Sequence, residues 1–126
     1  MQKQKMIQVQ TLVKIADNSG AKTAACIKIL GGYKKKTARL GDLVLVSIRT
    51  IKTTKKLNKK DILKALVIRQ KIFTKKSNGI YFKFNQNAIT LLDKNKNPFA
   101  TRVLGFFPKK FKTKFNKVAS ISNYLI

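Results

Sequence analysis

Apolar and polar residues alternate with a period of two over the first two-thirds of the chain, a pattern typical of half-buried β-strands. The first run has its apolar residues at Ile7, Val9, Val13 and Ile15, with polar residues between them. It ends at the segment ADNSG (16–20), whose Asp, Asn, Ser and Gly are suited to turns. We therefore predict a strand with one apolar face turned toward a core.

Further short apolar runs follow, each bounded by turn residues. The residues that mark the second and third strands are Ala25, Ile27, Ile29, Val44, Val46 and Ile48. The run DILKALVIRQK (61–71) could be a helix or a strand, but its Leu-Val-Ile centre favours a strand. Two more strands are predicted at NAITLL (87–92) and FATRVLGF (99–106). Several short strands separated by turns predict a mainly β fold, a small barrel or sandwich.

The segment KKSNGIYFKF (75–84) carries the strongest short-range signal for a β-hairpin in the chain. Its Asn-Gly pair tolerates the positive φ that a two-residue hairpin turn needs. With that turn, Phe73 faces Phe84 and Lys76 faces Tyr81 across the ladder. The sequence therefore predicts a β-ribbon with an apolar strip and a cationic tip.

The period changes to that of a helix after Pro108. The residues of one predicted helical stripe are Phe111, Phe115, Val118 and Ala119, with Lys110, Lys114 and Lys117 beside it. Proline is suited to the start of a helix because its φ is fixed. We predict one or two short helices packed on the barrel through the phenylalanines. Contact of the phenylalanines with a partner protein is the alternative.

The chain shows no internal repeat and no linker, which predicts a single domain over residues 1–126. Within it we expect an N-terminal extension (1–5), a β-barrel (6–106) with its ribbon near 71–85, and a short helical tail (107–126). The N-terminus lacks the features of a signal or transit peptide. No segment approaches the roughly 20 apolar residues of a membrane span, so we expect a soluble protein.

Net charge narrows the choice of function. The chain has 29 Lys and Arg against 4 Asp and no Glu, which gives a formal charge of +25. A fold with this charge repels itself unless a polyanion neutralises it, and nucleic acid is favoured over an acidic membrane surface. An A/T-rich genome would raise the number of lysines, but it would not remove Glu, whose codons are also A/T-rich.

The residue types argue against catalysis. Without His or Glu, the common general acids and bases reduce to Asp17, Asp42, Asp61 and Asp93, most of which stand at turn or cap positions. No phosphate-binding glycine-rich motif is present. The lone Cys26 lies in an apolar run, where a buried small hydrophobe is favoured over a reactive thiol. We predict no enzyme activity, no cofactor and no metal.

Four basic clusters fall on predicted loops, the hairpin or the tail. They lie at Lys34–Lys36 with Arg39, at Lys52–Lys60, at Lys71–Lys76 and at Lys109–Lys117. With almost no acids between them, nucleic-acid contact is favoured over a merely solvated surface. Lysine acts as a point charge on phosphate, so we expect salt-sensitive affinity with little reading of base sequence. Among the nearby aromatics, Tyr81 could stack on a base or pack across the ribbon, and packing is favoured for Phe82.

Seven blocks, in this order and spacing, resemble the large-subunit ribosomal protein L-fourteen family. They are MIQVQT (6–11), ADNSGA (16–21), CIKILGG (26–32), GD (41–42), KKDILKALVIR (59–69), NGIYFKFNQNAITLL (78–92) and ATRVLGF (100–106). The family's signature segment matches here from Ala65 through Asn78-Gly79 to Asn87. The resemblance covers nearly the full length, from Met6 to about Ile121.

The resemblance implies a five-stranded β-barrel with a projecting β-ribbon and short C-terminal helices. It also implies binding to large-subunit rRNA and intersubunit bridges to small-subunit rRNA. The implied protein neighbours belong to the L-nineteen and L-three families, and a ribosome-silencing factor is a further implied partner. The positions that match the silencing-factor surface are Thr101, Arg102 and Lys117.

Four features depart from the family pattern. Thr90 stands where the signature has Val, a change suited to a half-buried strand position. Phe106 stands where the family usually has Pro, and Lys110 replaces an acidic residue. The ending SISNYLI (120–126) keeps little of the family's Pro-Glu terminus.

Two sets of residues are candidate contacts. The candidate rRNA-binding residues are Lys34, Lys35, Lys36, Arg39, Lys52, Lys55, Lys56, Lys59, Lys60, Arg69, Lys71, Lys75, Lys76 and Lys83. The candidate contacts to proteins or across the subunit interface are Thr101, Arg102, Lys110, Lys114 and Lys117.

The favoured function is a structural constituent of the large ribosomal subunit, and the alternative is a free, weakly specific nucleic-acid-binding module. A cationic membrane-surface protein is a third hypothesis, which the tail supports only weakly. Divergence and A/T bias favour a mitochondrial ribosome over a plastid or an A/T-rich bacterium.

Overall fold

The computed structural model describes residues 7–32, 37–51, 60–71, 74–75, 79–82, 84, 86–93, 95 and 97–126. Their strands are, in chain order, β1 (Ile7–Gln8), β2 (Leu12–Ile15), β3 (Ala21–Ile29), β4 (Thr37–Ala38), β5 (Leu43–Ile51), β6 (Ile62–Arg69), β7 (Thr74–Lys75), β8 (Tyr81–Phe82), β9 (Ala88–Leu92), β10 (Val103–Phe107) and β11 (Ser122–Leu125). A 3-10 helix (Lys109–Phe111) and α1 (Asn116–Ser120) lie between β10 and β11. No helix in these ranges is long and apolar enough to cross a membrane.

Five of the strands form a closed barrel in the order β2, β3, β5, β6, β9. Neighbours in the barrel are antiparallel except β2 and β9, which run parallel and close it through the pairs Lys14–Ala88 and Ile15–Ile89. The prediction of a five-stranded barrel is thereby confirmed. The ambiguous run that contains β6 is a strand, as its apolar centre indicated.

The barrel interior is filled by alternate aliphatic side chains. Val44, Val46 and Ile48 on β5 are fully buried, as their period predicted. On β3 the core residues include Ala24, Cys26 and the predicted Ile29, whereas the predicted inward residue Ile27 is 38% exposed. Because Ala24 and Cys26 are inward, Ile27 falls on the outer face. The register shift between Cys26 and Lys28 in the β3–β5 ladder then returns Ile29 to the core, which a strict period of two cannot anticipate.

The first predicted strand is divided by a turn. Ile7, Val13 and Ile15 are buried as expected, but Val9 is 50% exposed because the chain turns between β1 and β2. Gln10 adopts φ 72° in that turn. The prediction of one continuous strand with Val9 on its buried face was therefore wrong.

Cys26 is 1% exposed, which confirms its assignment as a small buried hydrophobe. Burial also raises the pKa of its thiol, so the thiolate is disfavoured near neutral pH.

The elements that follow the barrel form a second hydrophobic cluster against its outer side. Phe115, Val118 and Ala119 are buried in it, which confirms the predicted apolar stripe. The Phe111 ring packs on Gly41, whose φ is 84°, and a β-carbon at Gly41 would lie 2.3 Å from the ring carbon Cζ.

β10 lies outside the barrel. It pairs in parallel with β11, a strand that the sequence analysis did not predict, through Val103–Ser122, Phe106–Tyr124 and Phe107–Leu125. The tail therefore contributes a strand as well as two short helical segments. Because the two strands are separated by the helices and pair over a long sequence distance, local periodicity did not reveal them as partners.

Asp17 joins the barrel closure to β10. It is 6% exposed, and one carboxylate oxygen accepts bonds from Ser19 N and Ser19 Oγ at 3.2 and 2.6 Å. The other oxygen accepts from Thr90 Oγ1 at 3.0 Å and from Leu91 N at 2.9 Å, both on β9. Asp17 also forms an isolated bridge with Val103 of β10. Thr90 is 0% exposed, so its interpretation as a half-buried position was wrong, and its hydroxyl serves this junction.

The first prediction concerns the two oxygens of Asp17. Asp17→Asn should lower the free energy of unfolding by about 1–3 kcal/mol. The amide nitrogen of Asn cannot accept the hydrogen bonds that one of the two carboxylate oxygens of Asp17 accepts. Asp93→Asn is the matched control, because it also removes one negative charge. Asp93 accepts Asn95 N and Asn97 N with a single oxygen, which Asn retains. The control should change stability by less than about 0.5 kcal/mol in urea titrations. Equal losses of unfolding free energy in the two variants would contradict the proposal that both oxygens of Asp17 stabilise this junction.

The second prediction concerns the contact between Gly41 and Phe111. Gly41→Ala should destabilise through its positive φ, by about 1–2 kcal/mol, and additionally by displacing the Phe111 ring, by about 1–3 kcal/mol. Gly31→Ala isolates the first cost, because Gly31 has φ 91° with nothing within 4 Å of an added β-carbon. Urea unfolding of both variants gives the difference. If Gly31→Ala loses as much as Gly41→Ala, the ring does not pack there.

Candidate nucleic-acid interface

Three of the four carboxylates accept hydrogen bonds from donors of their own chain. Asp17 accepts the four bonds described above, Asp93 accepts two backbone N–H groups, and Asp42 accepts Arg39 N at 2.8 Å. All three positions stabilise turns or junctions, as the residue pattern indicated. With only four acids against 29 basic residues, the carboxylates offset little of the positive charge.

Three predicted rRNA-binding residues are exposed on backbone that is held by hydrogen bonds. They are Arg39, Lys60 and Lys71. Lys60 has φ 71° and donates its N–H to Ile48 O at 2.7 Å, and Lys71 N donates to Asn87 Oδ1 at 2.9 Å. Because the backbone at these residues is already fixed, less conformational entropy is lost when they contact a phosphate.

Most of the other predicted rRNA-binding residues lie outside the described part of the chain. These are Lys34, Lys35, Lys36, Lys52, Lys55, Lys56, Lys59, Lys76 and Lys83. Lys75 is described through its backbone, as a residue of β7. Their contacts with RNA stay predictions.

The ribbon pairs in a register that differs from the predicted one. Thr74 pairs with Phe82 and Lys75 with Tyr81, whereas the two-residue turn required Lys76 to face Tyr81. The observed register shifts the pairing by one residue. Gly79 has φ 86°, and Asn78 of the predicted turn lies outside the described residues.

Arg69 has a role inside the chain. Its half-buried guanidinium donates from Nε to Phe106 O at 3.1 Å and from Nη2 to Leu104 O. It also occupies the space that a side chain on Gly105 would need, at φ 81°. Burial lowers the pKa of Arg69 from its ordinary value, although that value is so high that the group stays charged. Only the remainder of the guanidinium is available to RNA.

Thr101 and Arg102 are exposed at the start of β10 and are held by Asn18. The Asn18 side-chain oxygen accepts Thr101 N at 3.1 Å and Arg102 N at 3.0 Å, and its amide nitrogen donates to Thr101 Oγ1 at 2.8 Å. Lys117 is exposed on α1, where its Nζ donates to Asn97 Oδ1 at 2.9 Å. These bonds fix the candidate protein-contact positions at the surface.

The lysines beside the apolar stripe are exposed, as the helical period predicted. Two of them lie over aromatic rings, with Lys110 Nζ 5.8 Å from the Phe111 centroid and Lys114 Nζ 5.6 Å from that of Phe115. Both separations are within the range of cation–π attraction, which orients the ammonium groups along the surface.

Sequence reasoning missed one aromatic feature. The rings of Phe106 and Tyr124, on β10 and β11, have centroids 5.3 Å apart and planes tilted by 38°. Phe106 is 44% exposed and Tyr124 61% exposed. The available signal was that both residues fall where the chain departs from the family pattern, but their pairing follows from the parallel register alone. Tyr81 is also exposed, at 59%.

Within the described ranges, no group of three or more His, Cys, Asp and Glu could hold a metal ion.

Comparison with known proteins agrees with the resemblance found in the sequence. The model of the family described as "Ribosomal protein L14p/L23e" matches residues 6–126. The "Large ribosomal subunit protein uL14" of Carsonella ruddii (strain PV) is 43% identical over 122 residues, which cover 96% of this chain and 100% of that protein. A match over nearly the whole of both chains, at this identity, shows that the chain belongs to the L14p/L23e family of ribosomal proteins.

Proposed function

We propose that this chain is a structural constituent of the large ribosomal subunit that binds large-subunit rRNA through its loop and hairpin cations. One observation carries the proposal: a net charge of +25 on a fold in which three of the four carboxylates accept hydrogen bonds from donors of their own chain. Such a surface is stabilised when rRNA phosphates replace its counterions. The 43% identical relative carries the name of a large-subunit protein, which supports this location.

The same surface has further proposed partners. Small-subunit rRNA at intersubunit bridges, neighbours of the L-nineteen and L-three families and a ribosome-silencing factor follow from the family resemblance. The exposed positions of Thr101, Arg102 and Lys117 support a contact site near the start of β10 and on α1. Lys110 and Lys114, also exposed, extend the candidate set for these contacts.

The cellular compartment is a separate part of the proposal. A mitochondrial ribosome was favoured from divergence and A/T bias and stays a prediction. The relative named above is bacterial, which supports the alternative of a bacterial ribosome.

The third prediction separates position from total charge. Replacing Arg39, Lys60 and Lys71 by Gln should weaken binding to large-subunit rRNA fragments and flatten the plot of log affinity against log salt. Each lost phosphate contact lowers that slope by roughly 0.7–0.9. The matched control replaces the exposed strand residues Lys14, Lys22 and Lys28 by Gln, with an equal change in charge. If the two triple variants show equal decreases in affinity and in salt slope, Arg39, Lys60 and Lys71 contribute no more to RNA binding than the strand lysines do.

The fourth prediction concerns location. Native protein from its own cells should sediment with large subunits and monosomes at moderate salt and leave those fractions after ribonuclease treatment. Fractionating organelles before the gradient identifies the compartment. A spread over heterogeneous nucleic acid, stripped by modest salt, would instead favour the free nucleic-acid-binding module.

A further inference from the structure

We propose that the Phe106–Tyr124 pair is a stacking platform for an unpaired RNA base. The proposal rests on the proposed function, since it names a second kind of RNA contact beside the phosphate contacts of the lysines. It concerns the outer face of the two-stranded sheet formed by β10 and β11, which carries the two rings and the 51% exposed Leu104.

The backbone beneath the rings is held on several sides. Phe107, next to Phe106, is 0% exposed, and its carbonyl accepts Ile126 N at 3.0 Å. Leu104 N donates to Ala16 O at 2.7 Å, which ties β10 to the barrel. Arg69 binds the carbonyls of Leu104 and Phe106 from the barrel side. The platform is thus formed before any ligand arrives, and little ordering entropy opposes binding.

The exposure of the rings is unusual for a surface without a partner. Both belong to residue types that bury large apolar areas when a partner is available. Each shields part of the other at 5.3 Å, but Tyr124 stays 61% exposed. Exposed aromatics on a sheet are the groups on which proteins stack unpaired bases.

The positive charge beside the β10–β11 sheet favours RNA over an apolar protein surface as the ligand of the two rings. Exposed Arg102 precedes β10, and exposed Lys109 and Lys110 follow it. Lys109 also lies at the end of β11, where its N–H donates to Ile126 O at 2.8 Å. No acidic residue occurs after Asp93, whereas eight Lys or Arg do. A protein partner would have to bury or neutralise these cations, while a nucleotide supplies the phosphate together with the base.

The ring geometry restricts how a base can bind. Insertion between the rings would require centroids about 7 Å apart, twice the roughly 3.4 Å rise of stacked bases. The observed separation is 5.3 Å. The base therefore stacks on the outer side of the pair, on the more exposed ring of Tyr124.

Tyrosine fluorescence tests the stacking directly. The chain has three Tyr and no Trp, so Tyr33→Phe with Tyr81→Phe leaves Tyr124 as the sole emitter. Titration with an oligouridylate of about ten nucleotides should quench Tyr124 emission in parallel with binding. Unchanged emission at saturating RNA, with salt-dependent binding retained, would overturn the stacking proposal and leave the proposed function standing. Absence of binding to both the oligouridylate and rRNA fragments would overturn both.

Affinity measurements give an independent readout. Phe106→Leu with Tyr124→Leu keeps an apolar surface but removes the rings, and it should lower oligouridylate affinity roughly 5- to 100-fold at fixed salt. The salt slope should stay as in the parent chain, because no phosphate contact is lost. Lys109→Gln with Lys110→Gln should instead lower the slope, and Leu104→Ala, on the same face, should change neither quantity.

Two results would overturn the proposal in this second experiment. One is parental oligouridylate affinity in the double-leucine variant, shown to be folded by its parental unfolding midpoint in urea. The other is a salt slope lowered in the double-leucine variant as it is in Lys109→Gln with Lys110→Gln, which would show that the lost affinity is that of phosphate contacts.

Discussion

The buried carboxylate of Asp17 is the constraint on which the rest of the structure depends. The barrel closes through a short parallel pairing of β2 with β9, and Asp17 extends that closure by accepting Leu91 N and Thr90 Oγ1. The same residue bridges Val103, where the sheet of β10 and β11 begins. Without Asp17 the buried N–H of Leu91 would lose its acceptor, at a cost of about 1–3 kcal/mol. One residue therefore links barrel closure to the placement of the outer sheet.

This use of acids inside the fold determines the character of the surface. The chain has four acids against 29 basic residues, and the carboxylates of Asp17, Asp42 and Asp93 accept hydrogen bonds from donors within the fold. The free chain therefore carries unscreened repulsion, and a polyanion relieves it. Three of the four acids thus serve the fold, and a surface rich in lysine is left for a polyanion to neutralise.

Periodicity predicted the barrel strands because a closed sheet with one buried face imposes alternation on its residues. It failed where the ladder is irregular: at Ile27 beside a register shift, at Val9 in a turn, and in the ribbon, where the pairing is shifted by one residue. Bulges and loop lengths depend on partners distant in sequence. Thr90 shows the same limit, since Asp17, which accepts the hydrogen bond of its buried hydroxyl, is 73 residues away.

Arg69 shows why residue type alone could not assign the surface. It is one of the candidate rRNA-binding residues, yet its planar fork binds two carbonyls of β10 through separate N–H groups. A lysine ammonium is a point donor and does not offer that paired geometry. In a chain with four Arg among 29 basic residues, position 69 is one where the fork itself has a structural use. Whether a basic residue binds RNA or stabilises the fold depends on the geometry of its donors, and a count of charges gives no information about that geometry.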